Sequence, residues 1–155
     1  MIMDMTDINR DKYITTYNNS KYLVLSSFSF TIPSIYAFYN SMYFHACILL
    51  LTSLISANYW RKPRYSWRRD LDLFFSKLSF VIFTYDGIVN IKNNSYTIIA
   101  YPLFFIMLYC YYLSNTQFKI KNSNNWVIYH SLFHYSVMCE QLIILDSILP
   151  KCITY

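Results

Sequence analysis

Five apolar runs, each close to the length that crosses a lipid bilayer, dominate this 155-residue chain and leave only short polar stretches between them. They run from Tyr22 to Tyr39, Met42 to Tyr59, Leu71 to Ile91, Tyr96 to Ser114 and Trp126 to Leu149. A crossing of the hydrocarbon core takes about 20 mainly apolar residues. None of the runs alternates as a barrel strand would, and an α-helix satisfies every backbone polar group within its own segment. The fold class expected is therefore all-α: a polytopic transmembrane bundle of about five helices over residues 22–149. A tail precedes it at 1–21 and a short one follows at 150–155. Only Asn40 and Ser41 separate the first two runs, which predicts a tight hairpin, the alternative being one long helix bent at Pro33.

Composition agrees. Hydrophobic residues make up 55% of the chain and charged residues 14%, against the ~25% charged usual in soluble domains. The single glycine argues against a Gly-rich nucleotide loop and against Gly-mediated helix crossings. The wealth of Tyr, Asn, Ile, Lys and Phe is a bias of AT-rich genomes, those of large DNA viruses and parasites among them. Cys47, Cys110, Cys139 and Cys152 have no CxxC spacing and read as small buried hydrophobes.

The basic residues give an orientation. Arg10, Lys12 and Lys21 precede the first run, Arg61, Lys62, Arg64, Arg68 and Arg69 follow the second, and Lys119 and Lys121 precede the last. Five crossings put all ten on one side, with Lys92 and Lys151 opposite and Lys77 in a span, shallow enough to snorkel. The positive-inside rule makes the first side cytoplasmic, N-terminus included. The first run follows a tail holding Asp4, Asp7 and Asp11; it reads as a retained signal anchor rather than a cleaved signal peptide.

Polar groups inside spans are costly and need a reason. Asp72, Ser76, Ser79, Asp86 and Asn90 share a stripe of the third helix at ~100° per residue. His45, Thr52, Ser56 and Tyr59 line up on the second helix. On the last, His130, His134 and Gln141 do so, with Ser136 and Glu140 to one flank. These stripes predict that the second, third and fifth helices meet around a polar interior, the first and fourth lying outside. Depth places Ser56, Asp72, His130 and His134 near the cytoplasmic side and His45, Asp86 and Glu140 nearer the other.

The sharpest chemical pattern is His130-Ser-Leu-Phe-His134. Imidazoles at i and i+4 project from one face and can share a zinc ion, with Asp72 as third ligand and water as the fourth, acidified for attack on an ester or amide. The plain alternative is that both histidines hydrogen-bond within the bundle. His45, Asp86 and Glu140 form a candidate outer polar cluster, which would serve a proton or cation relay. The stretch Trp60, Arg61, Lys62, Arg64, Trp67, Arg68 and Arg69 suits anionic headgroups, where each cation adds about 1 kcal/mol and the rings sit at headgroup depth. So short a loop at a membrane surface does not suit nucleic acid.

Ser in the second helix, Asp in the third and HxxxH in the last resembles the superfamily of membrane hydrolases that includes the alkaline ceramidases and the progestin and adipoQ receptors. The resemblance implies a zinc held by histidines, aided by Ser and Asp, acting on a lipid amide. It maps onto Ser56 and Asp72 as catalytic residues and onto His130 and His134 as ligands. The superfamily has seven spans and a histidine four residues after the serine, where this chain has Trp60. Three readings stay open: a structural or assembly-type membrane protein, a zinc-dependent lipid amide or ester hydrolase, and an ion- or proton-coupled carrier or channel subunit.

Overall fold

The computed structural model describes residues 14–92, 94–120 and 124–152, leaving aside the side chains of residues 94 and 150–152. Arg10, Lys12, Lys121 and the acidic residues Asp4, Asp7 and Asp11 lie outside the described residues, as does the side chain of Lys151. Within them the protein is helical: α1 at Tyr17–Tyr39, α2 at Tyr43–Arg61, α3 at Trp67–Asn90, α4 at Asn94–Lys119 and α5 at Asn125–Cys152. Three stretches, Tyr17–Tyr39, Ser95–Lys119 and Asn125–Leu149, are long and apolar enough to cross a membrane. Of the other two helices, α2 ends in Arg61 and α3 carries Arg68, Arg69, Asp70, Asp72, Lys77 and Asp86. The helices overrun the apolar runs at several ends because polar residues such as Asn18 and Lys119 extend a helix already nucleated by its apolar centre.

A 3₁₀ turn at Phe28–Phe30 interrupts α1. It falls just ahead of Pro33, whose ring has no N–H to return to the carbonyl of Ser29. The α1–α2 hairpin forms as expected, closed by a Schellman motif. Met42 N–H donates to Ala37 O at 2.9 Å and Ser41 N–H to Phe38 O at 3.1 Å, while Ser41 takes the left-handed conformation with φ 60°. Met42 and Ala37 meet in the core, the apolar contact that accompanies this cap. Asn40 Nδ2 adds a bond to Tyr36 O at 2.8 Å.

The packing corrects one expectation. The first helix is not outside: α1 packs on both α2 and α5, and α3 closes a ring by packing on α2 and α5 from the other side. Helices α2 and α5 therefore face each other across α1 and α3 with no close backbone approach, touching through long side chains such as Trp60 and Trp126, and α4 stands outside the ring with its backbone close to α5 alone. The cause is in the sequence of α1. Ser20, Ser27 and Ser34, and Leu23, Phe30 and Ala37, repeat every seven residues, and all six are buried. The small members of this seam, the three serines and Ala37, let neighbouring backbones approach closely. Ser53 Oγ, for example, reaches Ser27 O at 3.0 Å, and Ser34 Oγ reaches Ala46 O at 2.8 Å.

Two apolar clusters fill the ring. One, toward the hairpin, joins Ala37, Met42, Ala46, Leu49, Phe83, Ile144 and Leu145. The other, toward the basic loop, joins Leu23, Tyr59, Trp60, Trp126 and Val127. Leu25, Ile35, Leu54, Val81, Phe105 and many other large apolar side chains are exposed, the arrangement expected where the solvent is lipid.

Candidate functional site: two polar belts

The histidines of the HxxxH pair lie together, ring centroids 4.8 Å apart. Each is held by a serine of another helix. His134, 4% exposed, has its Nδ1 2.9 Å from Ser26 Oγ of α1. His130 has its Nδ1 3.2 Å from Ser114 Oγ of α4. Ser26 carries a single proton, and Leu23 O lies 3.1 Å from its oxygen. Counting donors then has His134 Nδ1–H donating to Ser26, which leaves Nε2 as the acceptor nitrogen.

Beside Ser26 on α1, Ser27 Oγ lies 3.0 Å from Ser56 Oγ of α2, and Ser56 faces the Asp72 carboxyl of α3, whose Oδ1 is buried without a partner. The result is a belt of polar side chains reaching all five helices: Ser114, His130, His134, Ser26, then Ser27, Ser56 and Asp72. On α2, α3 and α4 its members stand five residues from the helix end nearest the basic loop, roughly 7.5 Å along the axis at 1.5 Å per residue. On α1 and α5, Ser26 and His134 stand nine residues from the corresponding ends, roughly 13.5 Å, so the belt crosses the bundle at a slant.

Asp72 sits at one end of this belt and the histidines toward the other, so the three do not gather into one coordination sphere. Among the described residues no three His, Cys, Asp or Glu side chains form a group that could hold a metal ion. The residue four places after Ser56, where the resemblance has a histidine, is Trp60, whose ring packs on His130 at 5.1 Å between centroids. An indole has no lone pair to offer a metal there.

A second set of polar contacts lies toward the hairpin end. His45 Nε2 and Asp86 Oδ2 pair at 2.8 Å between α2 and α3. The carboxylate of Asp146 on α5 accepts from Tyr36 of α1 at 2.6 Å and from Tyr96 of α4. Sequence reasoning singled out His45 and Asp86 but passed over Asp146, which follows the apolar run Leu142–Leu145; the signal was a lone carboxylate near a span end with tyrosines at the ends of two other spans. Glu140 does not join His45 and Asp86. It lines a cleft of α5 with its Oε2 buried and without a partner.

The basic stretch divides in two. Trp60 is not part of a headgroup-facing surface: it ends α2, is 7% exposed, and packs against Tyr59 and Trp126. Arg61 and Lys62 are exposed, and Trp67 is 67% exposed with Arg68 above its ring at 5.9 Å. Arg69 stacks over Tyr65 at 5.1 Å, its charge beside Tyr59. Pro63 O accepts from Ile14 N–H at 2.9 Å, which ties the segment before α1 to this loop. Lys77 is exposed on α3 while Asp72 is buried, which leaves the lysine ammonium free of the bundle interior, in keeping with a side chain that snorkels.

Compared with protein-family models, with curated proteins and with solved structures, the chain matches none of them.

Proposed function

We propose that this chain is a multi-pass membrane protein of structural or assembly type, crossing the bilayer five times with its N-terminus and basic loop on the cytoplasmic side. The observation that carries the reading is the belt from Ser114 to Asp72. A hydrolytic zinc site needs ligands that converge and leave one position open, whereas here Asp72 and the histidines do not gather among the described residues, and Ser56 Oγ lies 3.0 Å from Ser27 Oγ. Interhelical hydrogen bonds of this kind, each worth about 0.6 kcal/mol and at most ~1.7 kcal/mol, serve to fix which helix faces which. The orientation rests on the basic residues, and anionic headgroups would meet Arg61, Lys62, Trp67 and Arg68.

The test is direct. Protein purified without chelators should carry no stoichiometric zinc, and reconstituted vesicles should show neither lipid amide or ester hydrolysis nor proton flux above empty vesicles. One zinc per chain, lost in His134→Ala while the bundle stays inserted, would replace this reading by the hydrolase. For orientation, in a background with the native cysteines replaced, Tyr39→Cys at the exposed hairpin should react with an impermeant thiol reagent in intact cells, and Ser66→Cys should not.

A further inference from the structure

Helices α3 and α4 both pack on α5, and their backbones do not come close to each other. Between them lies a cleft of about 300 Å³. Phe83 and Gly87 of α3 wall one side, Ala100 and Met107 of α4 the other, and α5 forms the floor. Its mouth faces outward: Ile88 and Tyr101, both exposed, frame it, and Phe80 stacks on Phe104 across it at 6.5 Å between centroids.

The floor carries two acceptors that the protein does not satisfy. Gln141, 4% exposed, gives its Nε2 to Ser79 Oγ at 3.3 Å, and its Oε1 is buried without a partner. The adjacent Glu140 Oε2 is likewise buried and unpartnered. An unmet buried polar atom costs about 1–3 kcal/mol, and an apolar-lined cleft holding a few such groups is the usual form of a small-molecule site. The missing partner must be a donor, and in a cleft that opens to lipid it must arrive on an apolar body.

We propose that this cleft binds a membrane-dissolved lipid alcohol, its apolar body between α3 and α4 and its hydroxyl donating to Gln141 Oε1. A linear long-chain alcohol and a sterol share that chemistry. The binding is independent of the structural role proposed above, since it uses none of the belt residues except the edge of His134 at one end of the cleft.

The experiment is photolabelling of the protein in lipid nanodiscs with diazirine probes: a long-chain alcohol, its methyl ether, and a sterol with and without its hydroxyl. Peptides containing Met107 and Gly87 should be labelled about tenfold more by an alcohol than by its ether, the effect of about one buried hydrogen bond. Which alcohol does so identifies the shape of the body. The preference should vanish in Gln141→Leu. If that variant fails to insert, Ala100→Trp fills the cleft from α4 and should abolish the labelling instead. Equal labelling by alcohol and ether, or labelling that survives Ala100→Trp, would overturn the proposal, since both describe bulk lipid at an open surface.

Discussion

Ser26 on the first helix and His134 on the last are 108 residues apart in sequence and 2.9 Å apart in space, with Phe30 packed on the same imidazole at 5.2 Å. This contact holds α1 inside the ring and makes the HxxxH pair a bracing element between helices.

A double-mutant cycle over Ser26→Ala and His134→Phe should give a coupling of about 0.6–1.7 kcal/mol, read by unfolding in mixed micelles. The single Ser26→Ala change should cost about 1–3 kcal/mol, because the imidazole nitrogen is left buried without its partner. A coupling of zero would mean that the pair meets without contributing to the fold.

The two tryptophans of the basic stretch should behave oppositely. Trp60→Ala empties a packed site beside His130 and Trp126 and should cost about 3–5 kcal/mol. Trp67→Ala, at an exposed ring, should stay within about 0.5 kcal/mol. Equal tolerance at both positions would contradict the burial of Trp60.

Asp146 joins three helices through Tyr36 and Tyr96. Tyr36→Phe should destabilise by about 0.5–1.5 kcal/mol, the net worth of a typical hydrogen bond, Tyr96→Phe should destabilise by less because its hydroxyl meets solvent, and Asp146→Leu should remove the effect of both. If the tyrosine variants remain destabilising in the Asp146→Leu background, the hydroxyls are stabilising through other partners.

Ser41→Gly tests the hairpin. A non-glycine residue in the left-handed region costs about 1–2 kcal/mol, so glycine at the C′ position should raise the melting temperature. A fall would show that the hairpin relies on the serine itself.

Much of this architecture was legible because the bilayer imposes it. The apolar runs located the five helices, and Asn40-Ser41 marked the hairpin. The stripes of α2, α3 and α5 named Thr52, Ser56, Asp72, Ser79, His134 and Gln141, all of them buried. Illegible was the side to which each stripe turns. Sequence depth brought Asp72 level with His134, but depth says nothing about angle around the bundle: Asp72 turns toward Ser56 of α2 and His134 toward Ser26 of α1. The seven-residue repeat of Ser20, Ser27 and Ser34 pointed to that place, yet a serine seam carries no charge and is hard to tell from a lipid-facing surface when only costly polar groups are being sought. Trp60 was misplaced for a related reason: an aromatic beside two cations reads as interfacial, and only the fold shows Trp126 waiting for it.

The partners of α1 have consequences for biogenesis. Ser26 and Tyr36 leave the ribosome early, and the groups that bond them, His134 and Asp146, arrive only with the last helix. Until then α1 can zip against α2 through their short hairpin, but the face meant for α5 lies open to lipid or to whatever protein receives it. Ring closure thus waits for α5, and it meets the loop entropy of separations above a hundred residues in a single step. A chain stopped before α5 would hold a hairpin and an unclosed third helix, a form open to capture by membrane quality control.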